Sequence, residues 1–173
     1  MGEIHDQIEE EMWTSDYIND RPTARHPNLG APYIKEVHFL PLREGIVPPK
    51  KGTPDSAGYD LCAAEDITID AHRTGLVKLG FSTSMPSSIH GRIESRSGMA
   101  LKGYVVLTGV IDADYRGEWG VILHNLTDEQ VHIAKGDRVA QVVFRPTVAV
   151  SFQTASELSE TSRGAGGYGS TGR

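Results

Sequence analysis

An all-β domain of the sandwich, barrel or jelly-roll kind is predicted for this chain, and three observations carry that reading. Short apolar pieces rich in β-branched residues recur from residue 33 to residue 152, turn residues separate them, and no long helical pattern intervenes. The charged content of 23% and hydrophobic content of 38% are those of an ordinary globular chain, and 173 residues are enough for one domain with a real core and something extra at an end.

The elements follow in chain order. Residues 3–13 place Ile4, Ile8 and Met12 on one helical stripe, a thin one, and residues 15–32 are rich in Asp, Asn, Arg and Pro without any period. Residues 1–33 therefore read as an N-terminal extension, a weak helix plus a linker. Ile34, Val37, Phe39 and Leu40 make a first strand that ends at Pro41, and residues 45–54 are turn-rich and basic at Lys50 and Lys51. Strands are then expected over residues 67–69, 74–85, 89–93, 104–107, 121–123, 130–133, 138–144 and 147–152, with one helical turn at 97–102. Residues 34–153 form the β core, and residues 154–173 form a Gly-rich arm that cannot pack a core of its own.

One stretch stands out for chemistry. Residues 109–117 read Gly-Val-Ile-Asp-Ala-Asp-Tyr-Arg-Gly and join two apolar strands, so a hairpin is expected there. Glycines at both ends let the backbone come close to a ligand, and between them stand two carboxylates, a phenol and a guanidinium. A turn with a structural role alone has no use for Tyr and Arg behind an apolar Val-Ile pair. The arm, residues 163–173, contains a literal Gly-x-Gly-x-x-Gly, but no strand precedes it and no helix can follow, so a dinucleotide fold is rejected on context. It does carry the parts of a phosphate and base clamp: backbone N–H groups, hydroxyls, Arg163, and Tyr168 for stacking.

Composition narrows the classes. A formal charge of −6 leaves no basic stripe for nucleic acid, so cations facing an anionic ligand must be gathered locally. No apolar run reaches membrane-spanning length, and residues 1–6 lack the pattern of a signal peptide. The single cysteine, Cys62, excludes an internal disulfide and suits a reducing interior; it reads as a small core residue. The seven histidines have no metal spacing. Asn125 opens a formal glycosylation sequon that has no meaning without secretion.

Three further polar clusters complete the pattern: Ala-Gly-Tyr-Asp-Leu at 57–61, Gly-Arg-Ile-Glu-Ser-Arg-Ser-Gly at 91–98, and Gly-Asp-Arg-Val-Ala-Gln at 136–141. In this order, with the hairpin and the Gly-rich arm, they resemble the five motifs of the trimeric dUTP diphosphatases (dUTPases), over about residues 34 to 173. The resemblance implies a jelly-roll-like fold, a homotrimer with the C-terminal arm exchanged between subunits, and hydrolysis of dUTP to dUMP and pyrophosphate with Mg²⁺ on the triphosphate. Such a reaction limits uracil in DNA and supplies dUMP for dTMP synthesis. By motif, Asp112 is the carboxylate that activates water, Tyr115 lies under the deoxyribose, and the backbone of Gly109, Val110 and Ile111 reads uracil. Arg96, Ser97 and Gly98 match the phosphate-binding motif, Gln141 helps hold phosphates and water, and Arg163, Tyr168, Gly169 and Ser170 match the closing arm. Asp60 reads as a structural brace, Asp137 and Arg138 as a buried pair holding a turn, and Asp114 as the cap of the hairpin tip. No protein side chain is expected to ligate the metal directly.

Two departures mark this chain: Tyr168 where the family commonly has Phe, and Glu94-Ser95 where it often has Ala-Pro. The expected setting is intracellular, cytoplasmic or nuclear, with no membrane and no direct nucleic acid contact, and the extension is open to a protein partner. Two other functions stay open beside hydrolysis: a nucleotide-gated regulatory protein on the same scaffold, and a dCTP deaminase-type enzyme.

Overall fold

Leu61, Leu79, Val77, Val121, Leu123, Val139, Val142 and Trp119 are wholly removed from solvent, and strands converge on them from every side of the core. The computed structural model describes residues 35–167. Twelve strands run in order: β1 (His38–Pro41), β2 (Lys50–Lys51), β3 (Tyr59–Cys62), β4 (Ile67–Ile69), β5 (Thr74–Lys78), β6 (Phe81–Ser84), β7 (Ile89–Glu94), β8 (Tyr104–Thr108), β9 (Val110–Ile111), β10 (Gly120–Asn125), β11 (Val131–Ile133) and β12 (Arg138–Pro146). The described residues hold one helix, α1 (Ser97–Leu101), which Gly103 ends at a φ of +87°.

All pairings are antiparallel. The largest sheet runs β2-β3-β12-β7-β9, a second runs β5-β10-β8, and β1-β6 and β4-β11 complete an all-β, jelly-roll-like domain. Strand β10 shows the physics plainly: Val121, Leu123 and Asn125 are buried while Gly120, Ile122 and His124 are not, the alternation of a strand with one face on a core. Phe81 stacks between Trp119 and Phe39, with ring centroids 5.1 Å and 5.0 Å away. Asn125 sits in this core because its amide is fully used. Its Nδ2 donates to the carbonyls of Ile69, Asp70 and Glu129, and its Oδ1 accepts from the N–H and hydroxyl of Thr127.

Several expectations need correcting. Residues 74–85 form two strands and not one, because Gly80 turns the chain at a φ of +74° and lies so close to Ala64 and Ile46 that no side chain fits. Residues 147–152 form no strand. Their last ladder-like bond is Thr147 N–H to Ser88 O, and Val148, Val150 and Phe152 then stand 77%, 72% and 97% exposed. Cys62 is exposed on β3 and not in the core. Partial burial, then the charge of Asp60, push its thiol upward. Asp137 and Arg138 are both exposed and are not paired with each other. Asp137 accepts from Ala134 N–H at 2.9 Å to close the turn at Gly136, while Arg138 reaches across to Asp60. The expectations for residues 1–34 and for Tyr168, Gly169 and Ser170 fall outside the described residues.

Candidate active site

The hairpin at 109–117 opens onto a cleft of about 430 Å³. Gly109, Val110, Ile111, Asp112 and Tyr115 form one wall, and Leu76 and Lys78 of β5, Glu118, Trp119, and Gly120 and Ile122 of β10 form the other. Strand β9 is the edge of the largest sheet: one side pairs with β7, at Gly91 with Ile111 and Arg92 with Val110, and no strand covers the other among the described residues. An edge strand keeps a row of unspent N–H and C=O groups, and both residues of β9, Val110 and Ile111, line the cleft. Gly109 allows this closeness. A Cβ there would stand 2.5 Å from Ile93 Cβ and 2.9 Å from Ile93 O, while Ile93 N–H donates to Gly109 O at 2.7 Å.

Tyr115 and the main chain of Asp112 are held by hydrogen bonds. Tyr115 N–H donates to Asp112 O at 3.1 Å, its hydroxyl donates to Glu118 O at 3.1 Å, and its ring lies on Gly117, where any Cβ would overlap it. Arg116 Nη1 donates to the carbonyls of Ala113 and Tyr115 and, at 3.4 Å, of Thr83, which fastens the loop to β6. Asp114 is exposed at the tip, with no side-chain bond to cap it among the described residues. Two carboxylates line the cleft. Glu118 is committed to Gly80 N–H at 3.0 Å, Arg43 at 3.1 Å and Lys78 at 3.8 Å, whereas the exposed Asp112 carboxylate has no hydrogen bond or ion pair among the described residues.

A second cluster lies on the outward face of the largest sheet. Asp60 Oδ1 meets Arg96 Nε at 2.9 Å and Asp60 Oδ2 meets Arg138 Nη1 at 3.1 Å, so one carboxylate orients two guanidinium groups and leaves one positive charge over. Gln141 Nε2 donates to Ser95 O at 3.2 Å, and Gln141 lies across Gly58, whose missing Cβ makes the room. The Ser95 hydroxyl accepts from Val106 N–H at 2.8 Å, tying the Arg96-Ser97-Gly98 segment to β8. Ser97 and Gly98 are exposed at the start of α1. Glu94, in register with Gln141, turns its charge to Arg145 at 2.9 Å and Arg92 at 3.6 Å, so the departure from the family pattern brings its own cations.

One chain does not bring the two clusters into one cavity: Arg96, Ser97, Gly98 and Gln141 do not line the cleft. Arg163 is bound within its own segment, donating from Nε to Gly166 O at 2.9 Å. Sequence reading missed Leu76, Lys78, Glu118 and Ile122. Alternation puts Leu76 and Lys78 off the β5 core face, but only the β5-β10 pairing brings them to the hairpin. Among the described residues no three His, Cys, Asp or Glu side chains gather as a metal cage. Mg²⁺ keeps several waters and is held by one or two carboxylates plus phosphate oxygens, and the cleft carries two carboxylates, Asp112 and Glu118.

The chain matches the dUTPase family over residues 44–172. It is 44% identical over 132 residues to the deoxyuridine 5'-triphosphate nucleotidohydrolase of Paramecium bursaria Chlorella virus 1, covering 76% of this chain and 94% of the relative. It is 41% identical over 138 residues to the enzyme of that name from Rattus norvegicus, covering 79% and 67%. Among solved structures it resembles the Staphylococcus bacteriophage 80alpha dUTPase with dUpNHpp, with a TM-score of 0.75, 26% identity, and 80% and 99% of the two chains covered.

Proposed function

This chain belongs to the dUTPase family, and on that footing we propose that it hydrolyses dUTP to dUMP and pyrophosphate at sites shared between copies of a homotrimer. The observation that carries the chemistry is the contrast between the two cleft carboxylates. Glu118 accepts a hydrogen bond from Gly80 N–H and is ion-paired with Arg43 and Lys78, while Asp112 has no such partner among the described residues and is free to accept a proton from water. The oxygen of that water bonds to the α-phosphorus, the bond from the α-phosphorus to the bridging oxygen breaks, and pyrophosphate leaves. Little covalent work falls to the protein, so positioning and charge supply most of the rate.

The recognition steps follow from the same geometry. The open edge of Gly109, Val110 and Ile111 offers uracil a backbone partner, and the reversed donor pattern at the 4-position and N3 of cytosine leaves groups unpaired. Tyr115 under the deoxyribose refuses a 2′-hydroxyl by contact. Arg96, Arg138, Ser97, Gly98 and Gln141 of a neighbouring copy meet the phosphates, and Asp60 acts as their brace. Bound with the substrate, Mg²⁺ supplies neutralisation of the triphosphate charge; the chain's part is to orient it. The apolar stretch Val148, Val150 and Phe152, uncovered within one chain, supports an arm that leaves to lie on a neighbour, carrying Arg163, Tyr168, Gly169 and Ser170 to close the site. No helix among the described residues is long and apolar enough to cross a membrane, and the substrate places the reaction inside cells.

Mixing inactive chains tests the sharing. Asp112→Asn removes the base and Arg96→Ala removes a phosphate contact, so each homotrimer is expected to be inactive. Trimers refolded from a mixture and isolated through two different tags are expected to regain part of the wild-type rate of pyrophosphate release, because some sites combine an intact cleft with an intact Arg96. Isolated mixed trimers with no activity would contradict a site built from two chains.

A further inference from the structure

Tyr115 leans on a residue that is itself unusually restrained. The acceptor of its hydroxyl is the main-chain carbonyl of Glu118, at 3.1 Å. Immediately after it, Trp119 N–H donates to Phe81 O at 2.9 Å and Trp119 O accepts from Leu79 N–H at 3.0 Å, with the indole 1% exposed. Those two bonds already hold the backbone to Leu79, just after β5, and to Phe81 of β6. The Glu118 side chain adds a second set of restraints at the same point: Oε1 takes Gly80 N–H and Arg43 Nη2, Oε2 faces Lys78 Nζ, and Arg43 is anchored in turn by Glu65 at 2.7 Å. The result is a carbonyl whose place is set from both its side chain and its neighbour.

We propose that Glu118 is a positioning residue for sugar selection: held by Arg43, Lys78 and the Gly80 N–H, it fixes the Tyr115 ring at the cleft and so determines how firmly a 2′-hydroxyl is refused. The inference rests on Tyr115 being the wall beneath the deoxyribose. A wall rejects by contact only as strongly as it resists moving, and one extra hydroxyl is otherwise a small difference for a pocket to read. Gly117 lets the ring lie flat along the loop, and the Glu118 carbonyl keeps it from swinging out. Neither Glu118 nor Arg43 needs to touch the substrate for this. Lys78, which shares the cleft with Glu118, is drawn to the carboxylate and away from a free role.

The test is the ratio of kcat/KM for dUTP to that for UTP, with melting temperature followed alongside. Glu118→Ala is expected to lower the ratio about tenfold, the scale of one lost hydrogen-bonded restraint, and Glu118→Gln, which keeps an acceptor for Gly80 N–H, is expected to lower it less. Tyr115→Phe is expected to lower the ratio on its own, and Glu118→Ala added to Tyr115→Phe to lower it no further, since both act through one hydroxyl. A ratio unchanged in Glu118→Ala, with or without a drop in melting temperature, overturns the inference, as does a full tenfold loss repeated in the Tyr115→Phe background. Should Glu118→Ala not fold, Arg43→Ala loosens the same carboxylate from outside the cleft and must lower the ratio. Wild-type chain that hydrolyses dUTP and UTP alike defeats the Tyr115 reading, and one that hydrolyses neither defeats the hydrolase reading; each takes this inference with it.

Discussion

Asp112→Asn loses hydrolysis of dUTP by at least about 10²–10⁴-fold in kcat, the scale of a removed general base, while the fold stays as it was. The two halves of that result come from one fact: the Asp112 carboxylate is exposed and has no bond to the rest of the chain among the described residues. A side chain with no structural partner can be changed at little cost, and Asn fills the same volume, so unfolding free energy shifts by no more than about 0.5 kcal/mol. The main-chain carbonyl of Asp112, which accepts from Tyr115 N–H, is untouched by the substitution. Pyrophosphate release and chemical unfolding, measured on the same sample, check both halves. Retained turnover would move the base elsewhere, and the other carboxylate in the cleft, Glu118, is engaged by the Gly80 N–H and by ion pairs with Arg43 and Lys78.

Gly109→Ala is the second large effect, and it works through the backbone. The added methyl would lie 2.5 Å from Ile93 Cβ and 2.9 Å from Ile93 O, and Ile93 is buried in the core with little room to step back. Ile93 N–H to Gly109 O at 2.7 Å and the pairing of Arg92 with Val110 hold the strands together at that spot. Relief therefore comes from pushing β9 outward, which breaks those bonds and moves the edge proposed to meet the base. Overpacking of this kind costs about 1–3 kcal/mol, and the expected kinetic signature is a KM for dUTP raised beyond measurement. Gly98→Ala is the contrast in denaturant unfolding: nothing lies within 4 Å of the methyl position, so its stability is expected to hold. Equal stability of both variants would contradict the close packing of Gly109 on β7.

Much of this was legible in the residues because period and spacing are local. The apolar run at 121–123 and the polar hairpin at 109–117 each announce themselves within a few positions, and they become a strand and a cleft wall. What failed was set by contacts distant in sequence. Residues 147–152 have a strand's composition, but a strand exists only where a partner offers its edge, and none of the described residues does. Residues 74–85 read as one apolar run because the left-handed turn at Gly80 and the crowding there by Ala64 and Ile46, far away in the chain, are not local signals. Cys62 has apolar neighbours in sequence, yet strand alternation puts it on the outward face with Asp60. Asp137 and Arg138 are adjacent and opposite in charge, which suggested a pair; the turn instead sends one to Ala134 and the other to Asp60. Glu118 gave no signal, since its work depends on Arg43, Lys78 and Gly80 arriving beside it.

The decisive measurement is pyrophosphate release from dUTP in the presence of Mg²⁺, run beside dCTP, dTTP and UTP on the full chain. Rapid release from dUTP with the other three slower by orders of magnitude is the outcome that the edge of β9, the Tyr115 wall and the free Asp112 carboxylate require. Ammonia from dCTP in place of pyrophosphate, release from all four nucleotides alike, or no release from well-folded protein would contradict it.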